Sequence, residues 1–251
     1  MKAIELKKGI YWVGAIDWDL KNFHGYLTRR GSTYNAYLIV DEKITLIDTV
    51  KAPFFEEMLA RISSVINPNQ IDYIVSNHVE FDHSGALPFL KPLTPKAKIL
   101  TSFNGEKGLK AHFDTTGWDF EIMKLGSQLK TGKYTFSFVP VPMVHWPDSM
   151  MCFLEEEGIL FSNDAFGQHL ATSQRFDDEL PLSDIMVEAE KYYANIVLPF
   201  DMPVKKALEE AGKLNNVTMI ATSHGIIWRK NIAKILEKYQ QWANHETQDK
   251  A

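Results

Sequence analysis

The sequence predicts an α/β chain folded as a four-layer αββα sandwich over residues 1–251. Three observations carry this expectation. Strand-like and helix-like segments alternate as βα units through the first half. The second half repeats that half coarsely, with strands first and helices after them. No Gly-, Pro- or Ser-rich linker, low-complexity tract or close repeat divides the two.

Taken in order, residues 10–14 (Ile-Tyr-Trp-Val-Gly) read as a strand. Residues 35–40 and 43–48 flank Asp41-Glu42 as the arms of a hairpin. Residues 20–32 are polar and punctuated by glycine, so a loop is expected. Phe54, Met58, Leu59, Ile62, Val65 and Ile66 recur at helical spacing, with Pro53 just before them and Pro68 beyond them. Then come a strand at 73–76, a short helix at 85–90, a strand at 97–100 and a helix at 104–113. Strands are expected at 120–124, 134–139, 150–154 and 159–161, with Glu155-Glu156-Glu157-Gly158 turning a second hairpin. Helices follow from Pro181 to about Ile196 and over 204–214, then a strand at 217–221 and a last helix from Arg229 to about Ala243. Residues 244–251 read as a short polar tail.

Composition narrows the function. The 27 basic against 32 acidic residues argue against a nucleic-acid binder held by phosphate contacts. No apolar run approaches the roughly 18 residues of a membrane span, and the first eight residues lack the apolar core of an export signal. The single cysteine, Cys152, lies in the apolar run Met150-Met151-Cys152-Phe153-Leu154 and reads as a core thiol. It leaves no intramolecular disulfide, iron–sulfur cluster or thiolate zinc site. These points predict a cytoplasmic chain whose metal chemistry, if any, uses nitrogen and oxygen donors.

The decisive stretch is Asn77-His78-Val79-Glu80-Phe81-Asp82-His83-Ser84-Gly85, directly after an apolar strand. In an extended segment alternate side chains point the same way. His78, Glu80 and Asp82 can therefore converge, and His83 can reach in from the first helical turn. A capped helix on a charged loop is the alternative, but four potential ligands in six positions favour metal. Further donors wait at other strand ends: His145 in His145-Trp146-Pro147-Asp148, Asp164 in Ser162-Asn163-Asp164-Ala165, and His224 in Thr222-Ser223-His224-Gly225. Seven donors would serve two ions sharing a carboxylate.

This set resembles the metallo-β-lactamase fold and, within it, the flavodiiron protein family. The resemblance spans essentially the whole chain. It includes Phe23-His24-Gly25-Tyr26, Gly31-Ser32-Thr33-Tyr34-Asn35-Ala36, His145-Trp146-Pro147-Asp148-Ser149-Met150, Leu160-Phe161-Ser162-Asn163-Asp164-Ala165-Phe166-Gly167-Gln168-His169 and Tyr192-Tyr193-Ala194-Asn195-Ile196. It implies two iron ions (Fe2+/Fe3+), one held by His78, Glu80 and His145, the other by Asp82, His83 and His224, with Asp164 bridging. Glu80 stands where hydrolases of the fold usually have histidine. A carboxylate there adds charge and a hard oxygen, favouring iron over zinc; a di-zinc hydrolase is the weaker alternative.

The resemblance also implies chemistry on dioxygen or nitric oxide. His24 matches a pocket histidine of the family, and Tyr193 is a candidate phenolic donor. His169 and Asp48 are candidates for orienting the ligands. His112 and His245 read as surface residues, Trp146 and Trp228 as walls. In the family, electrons come from FMN in a flavodoxin-like domain after the metal domain. The sequence contains no Gly-rich phosphate loop and ends where such a domain would begin. A stand-alone diiron domain and an excised fragment of a longer reductase would both account for this; the first is favoured, and the expectation is a stand-alone dioxygen binder or sensor. The alternative is a reductase fed by a separate redox donor. A homodimer or a signalling partner is compatible with either.

Overall fold

Apolar alternation pairs the strands into two sheets that pack face to face. The computed structural model describes residues 1–246; residues 247–251 of the expected tail lie outside the described residues. The first sheet runs Ile4–Lys7, Ile10–Trp12, Tyr37–Ile39, Ile44–Ile47, Ile71–Ser76, Lys98–Thr101 and Phe120–Ile122 in spatial order. Its first four strands are antiparallel and the rest add on in parallel. The second sheet runs Gln128–Lys130, Thr135–Pro140, Met150–Leu154, Ile159–Asn163 and Met219–Thr222, with only the last pairing parallel.

Side-chain alternation builds the layers. Met150, Cys152 and Leu154 join Trp12, Tyr37, Val75, Leu100, Phe136 and Phe161 between the sheets. Met151 and Phe153 point the other way, against helices Leu182–Tyr192, Asp201–Ala211 and Ile232–Ala243. On the first sheet, Leu38, Leu46, Ile74 and Ile99 face helices Phe55–Ser63 and Phe103–His112 through Met58, Ile62 and Leu109. Strands covered on both faces, such as Ile44–Ile47 and Met150–Leu154, are therefore buried at every position. The architecture is the predicted metallo-β-lactamase-like αββα sandwich.

Several local expectations change. Phe120–Ile122 pairs in parallel with Lys98–Thr101 in the first sheet rather than opening the second. A three-residue strand carries too little pattern to name its partner. Gln128–Lys130, which the pattern did not mark, edges the second sheet instead. The segment expected as a loop at 20–32 holds a small hairpin, Asn22–Phe23 with Tyr26–Leu27. Its two turn residues, His24 and Gly25, both have left-handed backbone (φ 50° and 79°), as a two-residue hairpin of the primed type requires. The helix expected to run to Ile196 is α-helical over Leu182–Tyr192 and widens to a π turn over Tyr193–Val197.

Candidate metal centre

All seven candidate donors meet at one rim between the sheets. Strand Ile71–Ser76 ends, a connection bends at Asn77 and again at Glu80, and the short helix Phe81–Ser84 begins. His78 and Glu80 come from this connection, and Asp82 and His83 from the helix beside it. His145 lies on the connection from Thr135–Pro140 to Met150–Leu154. Asp164 follows Ile159–Asn163, after Asn163 has turned left-handed (φ 54°). His224 follows Met219–Thr222. Gly225 comes next with φ 76°, and a Cβ there would stand 1.9 Å from Gln168 Oε1. Only glycine lets the chain turn so close behind His224.

The donors fall into two groups, His78, Glu80, His145 and Asp164 in one, Asp82, His83 and His224 in the other, each able to hold a metal ion. Asp164 serves both. Its Oδ2 is 3.6 Å from His78 Nε2 and 3.2 Å from His145 Nε2, while its Oδ1 is 3.0 Å from His83 Nε2 and 3.4 Å from His224 Nε2. Glu80 Oε2 closes the first group, 3.4 Å from His78 and 3.5 Å from His145. Asp82 closes the second, with its two oxygens 3.3 Å from His83 and 3.3 Å from His224.

These atoms fit cations better than they fit one another. His78 Nε2, His83 Nε2, both Asp82 oxygens and Asp164 Oδ1 are buried without a hydrogen-bond partner among the described residues. Unpaired buried polar atoms are costly. Metal–donor bonds of about 2.1 Å at right angles put neighbouring donors about 3 Å apart, close to the spacing seen. Three carboxylates among four imidazoles make a hard, anionic donor set suited to iron.

The outward nitrogens are fixed by partners. His78 Nδ1 lies 2.9 Å from Asp148 Oδ2, which also accepts from the Val79 amide at 2.8 Å. His224 Nδ1 donates to the Thr33 carbonyl at 2.7 Å. Asp48, itself left-handed at φ 55°, accepts from the Asn77 amide at 2.7 Å and its side chain at 3.0 Å, pinning the ligand segment from below. Burial pushes the Asp48 carboxyl up to about 6. Burial alone would lower the His83 imidazole, but Asp82 and Asp164 beside it carry it up to about 9. Burial would raise Asp164 and Glu80; the histidines around each hold both far below the usual carboxylate range.

Around this cluster, His24 reaches in from the hairpin turn, with Nε2 2.9 Å from Glu80 Oε1. His169 is buried, 2.8 Å from Ser32 Oγ through Nδ1, and its ring centre lies 4.8 Å from that of His224. Burial, reinforced by the neighbouring His224, pushes its pKa well down. Trp146 walls His78 edge-on at 5.1 Å. Trp228 is buried and donates to the Phe166 carbonyl. Cys152 is a buried core thiol, pushed up by burial. His245 is exposed, whereas His112 is only half-exposed and stacks on Phe81 at 4.7 Å.

Tyr193 is a correction. Its ring packs on Tyr239 and Trp242 at 5.0 and 5.1 Å, away from the cluster. Tyr192 takes the expected place, 5.0 Å from His169 and 6.0 Å from His224. One residue on a helix rotates the side chain by about 100°, so the paired tyrosines could not be told apart by sequence. Asp148, Thr33 and Ser32 were also missed as positioning groups. Only Asp148 left a signal, an acid three residues after His145.

Residues 33–225 match the family described as ODP family beta lactamase. A nitric oxide reductase from Moorella thermoacetica is 47% identical over 253 residues, covering 100% of this chain and 63% of the relative. A rubredoxin-oxygen oxidoreductase from Megalodesulfovibrio gigas is 42% identical, covering 100% of this chain and 63% of the relative. The crystal structure of the flavodiiron protein from Giardia intestinalis superposes with a TM-score of 0.95 at 39% identity, covering 98% of this chain and 60% of that one. The chain thus spans a little under two thirds of the length of these relatives.

Proposed function

This chain belongs to the ODP beta-lactamase family, with flavodiiron proteins among its relatives, and from that premise we propose that it is a diiron oxidoreductase module acting on dioxygen or nitric oxide. The observation that carries this reading is Asp164, whose two oxygens divide between two donor groups. In this reading His78, Glu80 and His145 would hold one iron and Asp82, His83 and His224 the other, with Asp164 reaching both. Iron held there would supply electrons for reducing a diatomic, replenished by a separate redox donor.

The chain's own residues do the rest. Asp148 and Thr33 hold His78 and His224 with Nε2 turned inward. His24, 31% exposed, holds its Nε2 beside Glu80 and would be placed to donate a hydrogen bond to a small reactant entering on that side. Phe23, Trp146 and Tyr192 keep bulk water from the cluster. Among the described residues no helix is long and apolar enough to cross a membrane, and a cytoplasmic setting belongs to the same proposal.

The test loads the protein with iron and measures consumption of dioxygen and of nitric oxide with a reconstituted donor such as rubredoxin and its reductase. Donor-dependent consumption abolished by His224→Ala supports the reading. Stable oxygen binding without consumption returns the site to an oxygen binder or sensor. Zinc in place of iron in the protein as purified would turn it to the hydrolase alternative.

A further inference from the structure

A second set of residues joins this centre to the far side of the last helix. Two residues after Asp164, the Phe166 amide donates to Tyr239 Oη at 2.7 Å, and the two rings lie 4.4 Å apart. Tyr239 is buried on helix Ile232–Ala243. One turn on, Trp242 lies 5.6 Å from it and is half-buried at the molecular surface. Tyr193 completes the triangle, 5.0 Å from Tyr239 and 5.1 Å from Trp242. A short covalent and hydrogen-bonded path thus runs from the carboxylate shared by both donor groups to a phenol, and on by ring contact to an indole near solvent. Packing alone would be met by phenylalanine at position 242, whereas at 239 the hydroxyl also satisfies the buried Phe166 amide. Tyrosine and tryptophan differ in giving up a single electron far more readily.

We propose that Tyr239 and Trp242 form a one-electron outlet through which the diiron centre draws reducing equivalents when its regular donor is absent. The proposal rests on the diiron reading. Reduction of dioxygen to two waters takes four electrons and four protons, and two ferrous ions give two of the electrons. The other two come through Trp242 in two successive passes. In each pass Trp242 loses one electron, which crosses the Tyr239 ring to the centre while that phenol keeps its proton, and the Trp242 Nε1 proton goes to bulk water. A small thiol then returns a hydrogen atom to the indole. Two thiols are consumed in all and couple as one disulfide, so the chain itself ends unchanged. The outlet guards the buried aromatic and imidazole side chains around the metals from being oxidised in their place.

The test uses the full chain loaded with iron, reduced without oxygen and mixed with oxygenated buffer lacking thiol. Freeze-quench EPR should show a tryptophan radical that narrows when the protein is made with deuterated tryptophan. Trp242→Phe should abolish the signal with iron content and melting temperature unchanged, and Tyr239→Phe should delay it several-fold. Added glutathione should shorten the life of the radical and accumulate as its disulfide. A radical that deuterated tryptophan does not narrow, one that survives Trp242→Phe, or none at all while oxygen oxidises the iron overturns the outlet and leaves the diiron reading standing. Failure of the protein to bind iron, or of that iron to react with oxygen, overturns both.

Discussion

The two donor groups share Asp164 but live in different surroundings. His83, His224 and Asp82 are sealed, each side chain 2% exposed or less. On the other side Glu80 is 13% exposed, His145 8%, and the His24 that touches Glu80 sits on a hairpin turn at 31%. Yet the first group has the firmer support below it, with Asp48 and Asp148 both tied to the ligand segment. The difference teaches a division of labour. In the diiron reading a sealed group would fix its ion against exchange, while an open group over a rigid floor would admit a reactant without losing its shape.

The sharpest way to break this contrast is to remove what the groups share. Asp164→Ala should strip both ions, taking iron from near two per chain to well below one by elemental analysis. In the metal-free protein it also removes the carboxylate that the four imidazoles share, leaving them Glu80 and Asp82 alone, and removing one partner from a buried charge pair costs about 3–5 kcal/mol. One retained ion would mean that the groups do not depend on Asp164 equally. His224→Ala should then separate them, emptying the sealed group while the open one keeps its iron; equal loss from both would contradict independent groups.

Smaller effects test the floor. Asp148→Ala frees His78 Nδ1 and should weaken the open group by about 10–100-fold, read by competition with a chelator, with the sealed group unaffected. For the metal-free protein, melting temperature against pH should show two limbs. His83, raised to about 9 from 6.5, contributes stability fully present below 6.5 and lost as pH rises through about 9. Glu80, depressed from 4.5, contributes stability present above 4.5 and lost as pH falls further. Bound metal needs neutral imidazoles and should flatten the alkaline limb. The smallest change is expected from His24→Gln, which should leave iron content intact and alter only the affinity for the diatomic. Loss of iron would make His24 part of the metal's own support.

What the sequence made legible follows from distance along the chain. His78, Glu80, Asp82 and His83 could be read because one strand end and one helical turn hold them, and local geometry aims them together. His145, Asp164 and His224 could be proposed because each follows an apolar strand. Thr33 gives no such sign; its carbonyl meets His224 across 191 positions. The hairpin under His24 was hidden because its arms are two residues each, too short for periodicity. The choice between Tyr192 and Tyr193 depended on a helix phase that two adjacent tyrosines leave open.

By itself, then, the sequence determined the layering and the kinds of donor atom. Both follow from alternation along single strands and from residue identity. The tertiary structure alone decided that Asp164 points one oxygen at each group, that one group is sealed and the other open, and that Phe166 hands its amide to Tyr239. Those outcomes depend on how strands from the two sheets end against each other, and no local pattern encodes the relative position of segments more than a hundred residues apart.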